Sequence, residues 1–331
     1  MNILITGGTG YIGSHTALSL VESGHQVTLF DSLANSEKKV INRLETITKE
    51  KINFVKGDIR ETQLLSETIN QNNIEAVMHF AGLKAVAESV EKPIDYYENN
   101  ITGTISVLKA IQQNCVKKIV FSSSATIYGE PKYLPYDEIH PANPTNPYGF
   151  SKLLAENILE DASKSFFDFS VVALRYFNPV GAHSSGLIGE DPLNIANNLM
   201  PLMSRVASGE MLNLNIFGGD YLTSDGTGVR DYVHVMDIAE GHLAALDFLQ
   251  RRKGFHVFNL GTGKGTSVLE LIEAFKRVTG KVIPFKICAR RSGDIAISYA
   301  SCDKAFHELN WEASRSLEEM CLSAWKFKGY R

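Results

Sequence analysis

The chain has 331 residues, 44% of them hydrophobic and 21% charged, with 33 lysines and arginines against 37 aspartates and glutamates. That length holds one large α/β domain or two unequal ones around a sizeable core, and the composition is ordinary for a soluble globular chain. A formal net charge of −4 gives no reason to expect nucleic acid or an anionic membrane as partner.

Further exclusions come from what the chain lacks. No apolar run approaches a membrane span, and a strand pattern from residue 2 leaves no room for a signal peptide. Cys115, Cys288, Cys302 and Cys321 have neither metal-like nor redox-like spacing and read as thiols of a reducing cytoplasm. The histidines are scattered, so no metal site is expected. His79, inside an apolar strand, reads as a core residue rather than a ligand.

The first element is the apolar run Ile3 to Ile5, which stops at Thr6-Gly7-Gly8-Thr9-Gly10-Tyr11-Ile12-Gly13 and gives way to a helix-period pattern through Val21. Gly8, Gly10 and Gly13 fit G-x-G-x-x-G, while Gly7, Gly10 and Gly13 fit the looser G-x-x-G-x-x-G. Glycine serves positive φ in the turn, close approach to a pyrophosphate and tight helix–strand packing. The N-terminus of the next helix then faces the phosphates. A second strand, Gln26 to Phe30, ends in Asp31, placed to bind an adenosine ribose 2′-hydroxyl. Its carboxylate would repel a 2′-phosphate, so NAD is favoured over NADP.

Beyond Asp31 the segment Ser36 to Lys49 reads as helix, and Ile52 to Val55 as a strand ending at Gly57-Asp58-Ile59. A helix follows to about Asn72, then strand Ala76 to Phe80, broken at Ala81-Gly82. Tyr96 to Asn114 reads as one long helix, and strand Lys118 to Phe121 leads into Ser122-Ser123-Ser124. Strands alternating with helical patterns predict a doubly wound parallel sheet of Rossmann type. Its ligand cleft should lie beyond the strands' carboxyl ends, which gathers the glycine loop, Asp31, Asp58, Phe80, Ala81 and the serines. Five of the ten prolines fall between Pro131 and Pro147. They predict a loop running over the surface toward that cleft.

Tyr148-Gly149-Phe150-Ser151-Lys152 opens a helix to about Ser165, with Tyr and Lys on one face. A free phenol with pKa about 10 is a weak base at neutral pH. A nearby ammonium and a positive nicotinamide ring would favour its phenolate. With Ser124 steadying the same oxygen, the set Ser124, Tyr148 and Lys152 is suited to alcohol oxidation. Strand Ser170 to Leu174 follows, then a less regular region. Helices are expected there at Asn197 to Ala207, Val235 to Leu249, Val268 to Thr279 and Ser316 to Phe327, and strand Val257 to Gly261 returns to the sheet.

These motifs, together with His79-Phe80-Ala81-Gly82-Leu83-Lys84, Leu174-Arg175-Tyr176-Phe177-Asn178-Pro179-Val180-Gly181 and Asp225-Gly226-Thr227-Gly228-Val229-Arg230-Asp231-Tyr232, resemble the extended short-chain dehydrogenase/reductases. Within them the chain resembles the UDP-galactose 4-epimerases, from residue 1 to about 325. The resemblance implies an NAD-binding domain over 1–177, with sheet elements returning near 235–262. A smaller C-terminal α/β domain, 178–331, would mainly bind a UDP-sugar. It places Gly7, Gly10, Tyr11, Ile12, Gly13, Asp31, Asn35, Asp58, Ile59, Phe80, Ala81, Lys84, Asn99, Lys152 and Phe177 around NAD. It places Lys84, Ser124, Tyr148, Asn178, Asn198, Leu199, Asn215, Phe217, Arg230, Arg291 and Asp294 around the UDP-sugar. Guanidinium forks such as Arg230 and Arg291 suit a diphosphate.

Ser298, four residues after Asp294, is implied as one wall of the sugar pocket. A small residue there would admit N-acetylhexosamines where a tyrosine would exclude them. Family members commonly pair through a four-helix bundle, which implies a homodimer through Tyr96 to Asn114 and Tyr148 to Ser165. Two alternatives remain. A nucleotide-sugar 4,6-dehydratase would carry an acid pair after the strand serine, where Ala125-Thr126 stands. An NAD-binding regulator would have lost Tyr148 or Lys152.

Overall fold

Seven apolar runs form one parallel sheet. The computed structural model describes residues 1–193, 198–291 and 293–329. Along the chain come β1 (Asn2–Thr6), β2 (Gln26–Asp31), β3 (Asn53–Lys56), β4 (Ala76–His79), β5 (Lys118–Ser124) and β6 (Ser170–Tyr176). Four short strands follow: β7 (Asn178–Val180), β8 (Leu214–Phe217), β9 (Val229–Arg230) and β10 (Tyr232–His234). The seventh strand of the large sheet is β11 (Gly254–Leu260). The order across it is β11-β6-β5-β4-β1-β2-β3, and every pairing is parallel. It is the predicted Rossmann-type arrangement.

Both faces of this sheet are covered, so its strands read as continuous apolar runs rather than alternating ones. Successive residues still point to opposite faces. Ile3, Ile5, Val120 and Leu174 pack on the side of helices α1 (Tyr11–Glu22) and α9 (Val235–Phe248). Leu4, Val77, Ile119 and Phe121 pack against α6 (Gly103–Gln113) and α7 (Pro147–Ser165). Between them in sequence lie α2 (Lys39–Thr48), α3 (Thr62–Gln71), α4 (Val86–Glu91) and α5 (Pro93–Tyr97). α8 (Leu199–Ala207) comes next after α7. The predicted start of α8 at Asn197 lies outside the described residues.

Two predicted features are corrected. The helix expected from Tyr96 to Asn114 begins earlier, at Pro93, and is interrupted by a π turn over Glu98–Thr102. Such wide turns are frequent at functional sites. Here Asn100 bonds both backbone groups of Leu83 at 2.8 and 3.0 Å and the Ser151 hydroxyl at 2.9 Å. The proline-rich stretch is not confined to the surface. Tyr136 and His140 are buried, and Tyr136 pairs with Ala300 while its hydroxyl donates to Gly129 O. Alternating prolines remove backbone donors, but aromatic side chains between them still seek the core.

The remaining elements build a second layer: β12 (Thr266–Ser267), α10 (Val268–Thr279), β13 (Phe285–Cys288), β14 (Ile297–Ser298) and α11 (Leu317–Gly329). The small sheets are β10-β7, β12-β9-β14 and β13-β8, packed around Met203, Leu271, Phe275 and Met320. α10 begins in a capping box between Ser267 and Glu270 and ends on Gly280 at φ +67°, as its sequence dictates. Asp231, wholly buried between β9 and β10, joins this layer to the large sheet. It accepts from Thr262 N at 2.8 Å, Thr262 Oγ1 at 2.6 Å, Gly263 N at 3.0 Å and Ala300 N at 3.2 Å. An amide can accept through only one of its two heavy atoms, so Asp231→Asn leaves buried donors unpaired. It should cost about 1–3 kcal/mol or more in urea unfolding, and unchanged stability would refute the role.

Candidate active site

One cleft of about 540 Å³ opens at the carboxyl ends of β1, β2, β4, β5 and β6 and continues under the second layer. Gly7, Gly10, Tyr11, Ile12, Gly13, Asp31, Asn35, Asp58, Ile59, Phe80, Ala81, Lys84, Asn99, Lys152 and Phe177 line it on the sheet side. Ser124, Tyr148, Asn178, Asn198, Leu199, Asn215, Phe217, Arg230, Arg291 and Asp294 line it toward the second layer. The structure thus brings nearly all the expected residues into one cavity. Ser298 is the exception: it is 7% exposed on β14, beside Arg230 of β9, and is not among the cleft-lining residues.

The glycine loop fits a dinucleotide for reasons visible in its backbone. Gly7 has φ +70°, and a Cβ there would stand 2.7 Å from Ala81 N. A Cβ on Gly13 would stand 2.3 Å from the Gly7 carbonyl oxygen. Neither position has room to shift, because both obstacles are main chain. The loop therefore delivers the first turn of α1 to the cleft, where the N–H groups have no partner within the helix. Asp31, at the end of β2, accepts from Thr9 N at 3.1 Å and Leu33 N at 2.9 Å, which fixes its carboxylate at the β2 end of the cleft.

The chemical end is set by α7. Pro147 occupies its first turn, and the Asn146 side chain caps it by accepting from Gly149 N at 2.9 Å, so the helix starts where Tyr148 faces the cleft. One turn on, Lys152 Nζ donates to the Ser122 carbonyl at 2.8 Å and lies 4.9 Å from the Phe121 ring centroid. Burial lowers its pKa to about 8. Burial pushes the Tyr148 phenol up, while a hydrogen bond with the Ser124 hydroxyl and the positive charge of Lys84 pull it down. The sequence reading gave that role to Lys152; Lys84 is a further cation whose charge acts on the phenol. Spacing along one helix suggested the first lysine, and only the fold brings the second.

At the far end Arg291 stacks 4.9 Å from the Phe217 ring centroid and pairs with Asp294 at 2.8 Å. Arg230 donates to the Val229 carbonyl at 2.9 Å. Among the cleft residues that escaped the sequence reading are Glu190 and Tyr221. Glu190 takes Lys84 at 2.9 Å and Asn198 at 2.5 Å on one oxygen, yet nothing in its neighbourhood, Gly189-Glu190-Asp191-Pro192, signals that. Tyr221 is 7% exposed and carries the Arg290 guanidinium 4.2 Å from its ring centroid. His79 is a core residue, as expected, bonded to Thr6 Oγ1 at 2.7 Å and Thr104 Oγ1 at 3.2 Å.

Comparison with known proteins narrows what such a cleft can be. The family model described as GDP-mannose 4,6 dehydratase matches residues 4–323. The UDP-glucose 4-epimerase of Bacillus subtilis (strain 168) is 51% identical over 328 residues, covering 99% of this chain and 97% of that protein. The chain belongs to the UDP-glucose 4-epimerases. These are isomerases, and the structural likeness covers the whole molecule. The UDP-glucose 4-epimerase of Bifidobacterium longum, solved in complex with NAD+ and UDP, superimposes with a TM-score of 0.97 at 47% identity. That match covers 100% of this chain and 98% of that one. The enzyme of Stenotrophomonas maltophila, solved with bound NAD and formylated UDP-arabinopyranose, gives 0.97 at 46% identity with the same coverage. No helix among the described residues of this epimerase is long and apolar enough to cross a membrane.

Proposed function

We propose that this epimerase inverts C4 of UDP-hexoses with NAD held in the glycine-loop half of the cleft. The observation that carries the reading is the placement of Tyr148, flanked by Ser124 and Lys84, between that loop and the Arg230–Arg291 end. NAD, when bound, supplies a hydride acceptor for C4 that can also return the hydride. Tyr148 accepts the C4 hydroxyl proton and later gives it back, Ser124 holds the same oxygen, and Lys152 anchors the cofactor side. Asn178, Asn198, Leu199, Asn215, Phe217, Arg230, Arg291 and Asp294 hold the UDP portion while the sugar turns about its diphosphate link. Remote binding energy thus serves the reacting carbon.

A 4,6-dehydratase on the same fold is disfavoured because Ser124 is followed by Ala125 and Thr126. Thr126 bonds the serine at 2.9 Å and supplies no acid. Residues 1–177 would carry NAD and 178–331 mainly the UDP-sugar, in a cytoplasmic enzyme. We further propose that the substrates include UDP-N-acetylglucosamine and UDP-N-acetylgalactosamine. The support is that Ser298 is a small, buried residue paired in register with Arg230, which lines the cleft, and that the family resemblance gives this position to the sugar wall.

The enzyme is proposed to be a homodimer. Val90 and Ile94 are 61% and 71% exposed on α4 and α5, next to Phe150 and Leu154, 43% and 42% exposed on the adjoining α7. This apolar strip suits helix-on-helix pairing. The α6 part of the expected surface adds nothing apolar to it, since the exposed residues of that helix are Lys109, Gln112 and Gln113.

Three outcomes are expected. Tyr148→Phe should keep its fold and its NAD, released on denaturation, yet lose about 10²–10⁴ in turnover of UDP-galactose; near-normal turnover refutes the assignment. Sedimentation should give twice the chain mass, and Ile94→Asp with Leu154→Asp should shift it toward the single chain; a monomeric wild type removes the dimer. Ser298→Tyr should lower activity on UDP-N-acetylgalactosamine by about tenfold or more, the equivalent of roughly 1.4 kcal/mol, while sparing UDP-galactose. Equal losses on both, or a wild type inactive on N-acetylated sugars, would eliminate Ser298 as a selectivity wall.

A further inference from the structure

Behind the catalytic helix lies a buried ion pair that the reaction as described does not use. Glu156 sits one turn past Lys152 and two past Tyr148, so the three share one face of α7. Its side chain is 3% exposed and that of its partner Arg175 8%. Arg175 donates from Nε to Glu156 Oε1 at 3.1 Å and from Nη2 to Oε2 at 2.7 Å. The Ser123 hydroxyl donates to Oε1 as well. Ser123 and Arg175 are register partners on β5 and β6.

Three successive serines of β5 therefore divide the work. The Ser122 carbonyl takes Lys152, the Ser123 hydroxyl holds Glu156, and the Ser124 side chain lines the cleft with Tyr148. Because side chains alternate along a strand, Ser123 lies on the same side of β5 as Phe121, which packs with Ala155 of α7, and there it meets Glu156.

We propose that Glu156 is a positioning residue for epimerisation, acting through Lys152. Its carboxylate stands one helical turn behind the ammonium as counter-charge and, with Arg175 and Ser123, locks that turn to β5. The proposal rests on the roles given above to Tyr148 and Lys152.

The charges around Lys152 agree. From β4 it meets His79, which burial keeps neutral with a pKa of about 3. Arg175 of β6 is held on the far side of Glu156, and from its own helix Lys152 has Glu156 as its counter-charge. Lys84 and Tyr96 face Tyr148. Glu156 is the anion that opposes burial at Lys152. Without it two buried cations would remain, and Lys152 would lose its proton at lower pH. A lysine whose charged form is required supports activity below its pKa and fails as pH rises through it. Removing Glu156 therefore moves the alkaline limb downward.

The test compares Glu156→Gln with Arg175→Gln, which breaks the same pair but keeps the anion. Turnover of UDP-galactose and retention of NAD through gel filtration are both followed against pH. In Glu156→Gln the alkaline limb should start about one pH unit or more below wild type, with NAD lost at correspondingly lower pH. Arg175→Gln should show no downward shift. If Glu156→Gln does not fold, the double change with Arg175→Gln replaces the ion pair by two amides and should show the same shift. A uniform fall in turnover with the limb unmoved overturns the proposal. So does an equal shift in both single variants, or failure of both carboxylate variants to fold. An active Tyr148→Phe instead overturns the reading of the helix itself. An inactive Tyr148→Phe alongside an unmoved limb removes Glu156 alone.

Discussion

The chemistry of this epimerase depends on how closely α7 lies on β5. With the Lys152 ammonium 2.8 Å from the Ser122 carbonyl and the Glu156–Arg175 pair bridging α7 to β6, the helix cannot slide by a residue without breaking buried charged contacts. Breaking one partner of such a pair costs about 3–5 kcal/mol, since the other is left buried and unpaired. That constraint sets where Tyr148 sits. The Asn146 cap and Pro147 fix where the helix begins, and the packing fixes how deep it lies.

The glycine loop meets the same demand from the other side of the cleft. Gly7 and Gly13 are closed in by main-chain atoms, so the loop's path is as rigid as the strands that bound it. Two rigid walls, one from β1 and α1 and one from β5 and α7, leave a cavity whose shape owes little to surface loops. The second layer closes the cavity's far end through Asp231, whose four accepted hydrogen bonds tie residues 262–263 and 300 to the segment carrying Arg230. That tie fixes the backbone carrying the Arg230 guanidinium, which itself donates to the Val229 carbonyl.

Charges of both signs line the cleft. Asp31 and Asp58 lie beyond β2 and β3, with Asp58 paired to Arg60, and the Arg291–Asp294 pair lines it with Arg230. Lys84 is paired with Glu190. Burial pushes the Tyr148 phenol toward its neutral form, and Ser124 and Lys84 oppose that. A group that must both accept and return a proton benefits from such a balance.

The sequence by itself determined the sheet and the ends of the site. Continuous apolar runs mark strands covered on both faces, glycine spacing marks the turn before α1, and Pro147 after Asn146 marks the start of α7. Each signal is local and lies within a few residues of what it specifies. The tertiary structure decided the rest. Lys84 as a cation acting on Tyr148, Glu190 beside it, and Glu156 with Ser123 and Arg175 all join residues 19 to 106 positions apart. A lone glutamate or lysine carries no mark of its partner. The same holds for Tyr136 and His140, buried within a proline-rich stretch whose composition points to the surface. Backbone pattern is written locally, but the pairing of buried polar groups depends on which chain segments the sheet order sets side by side.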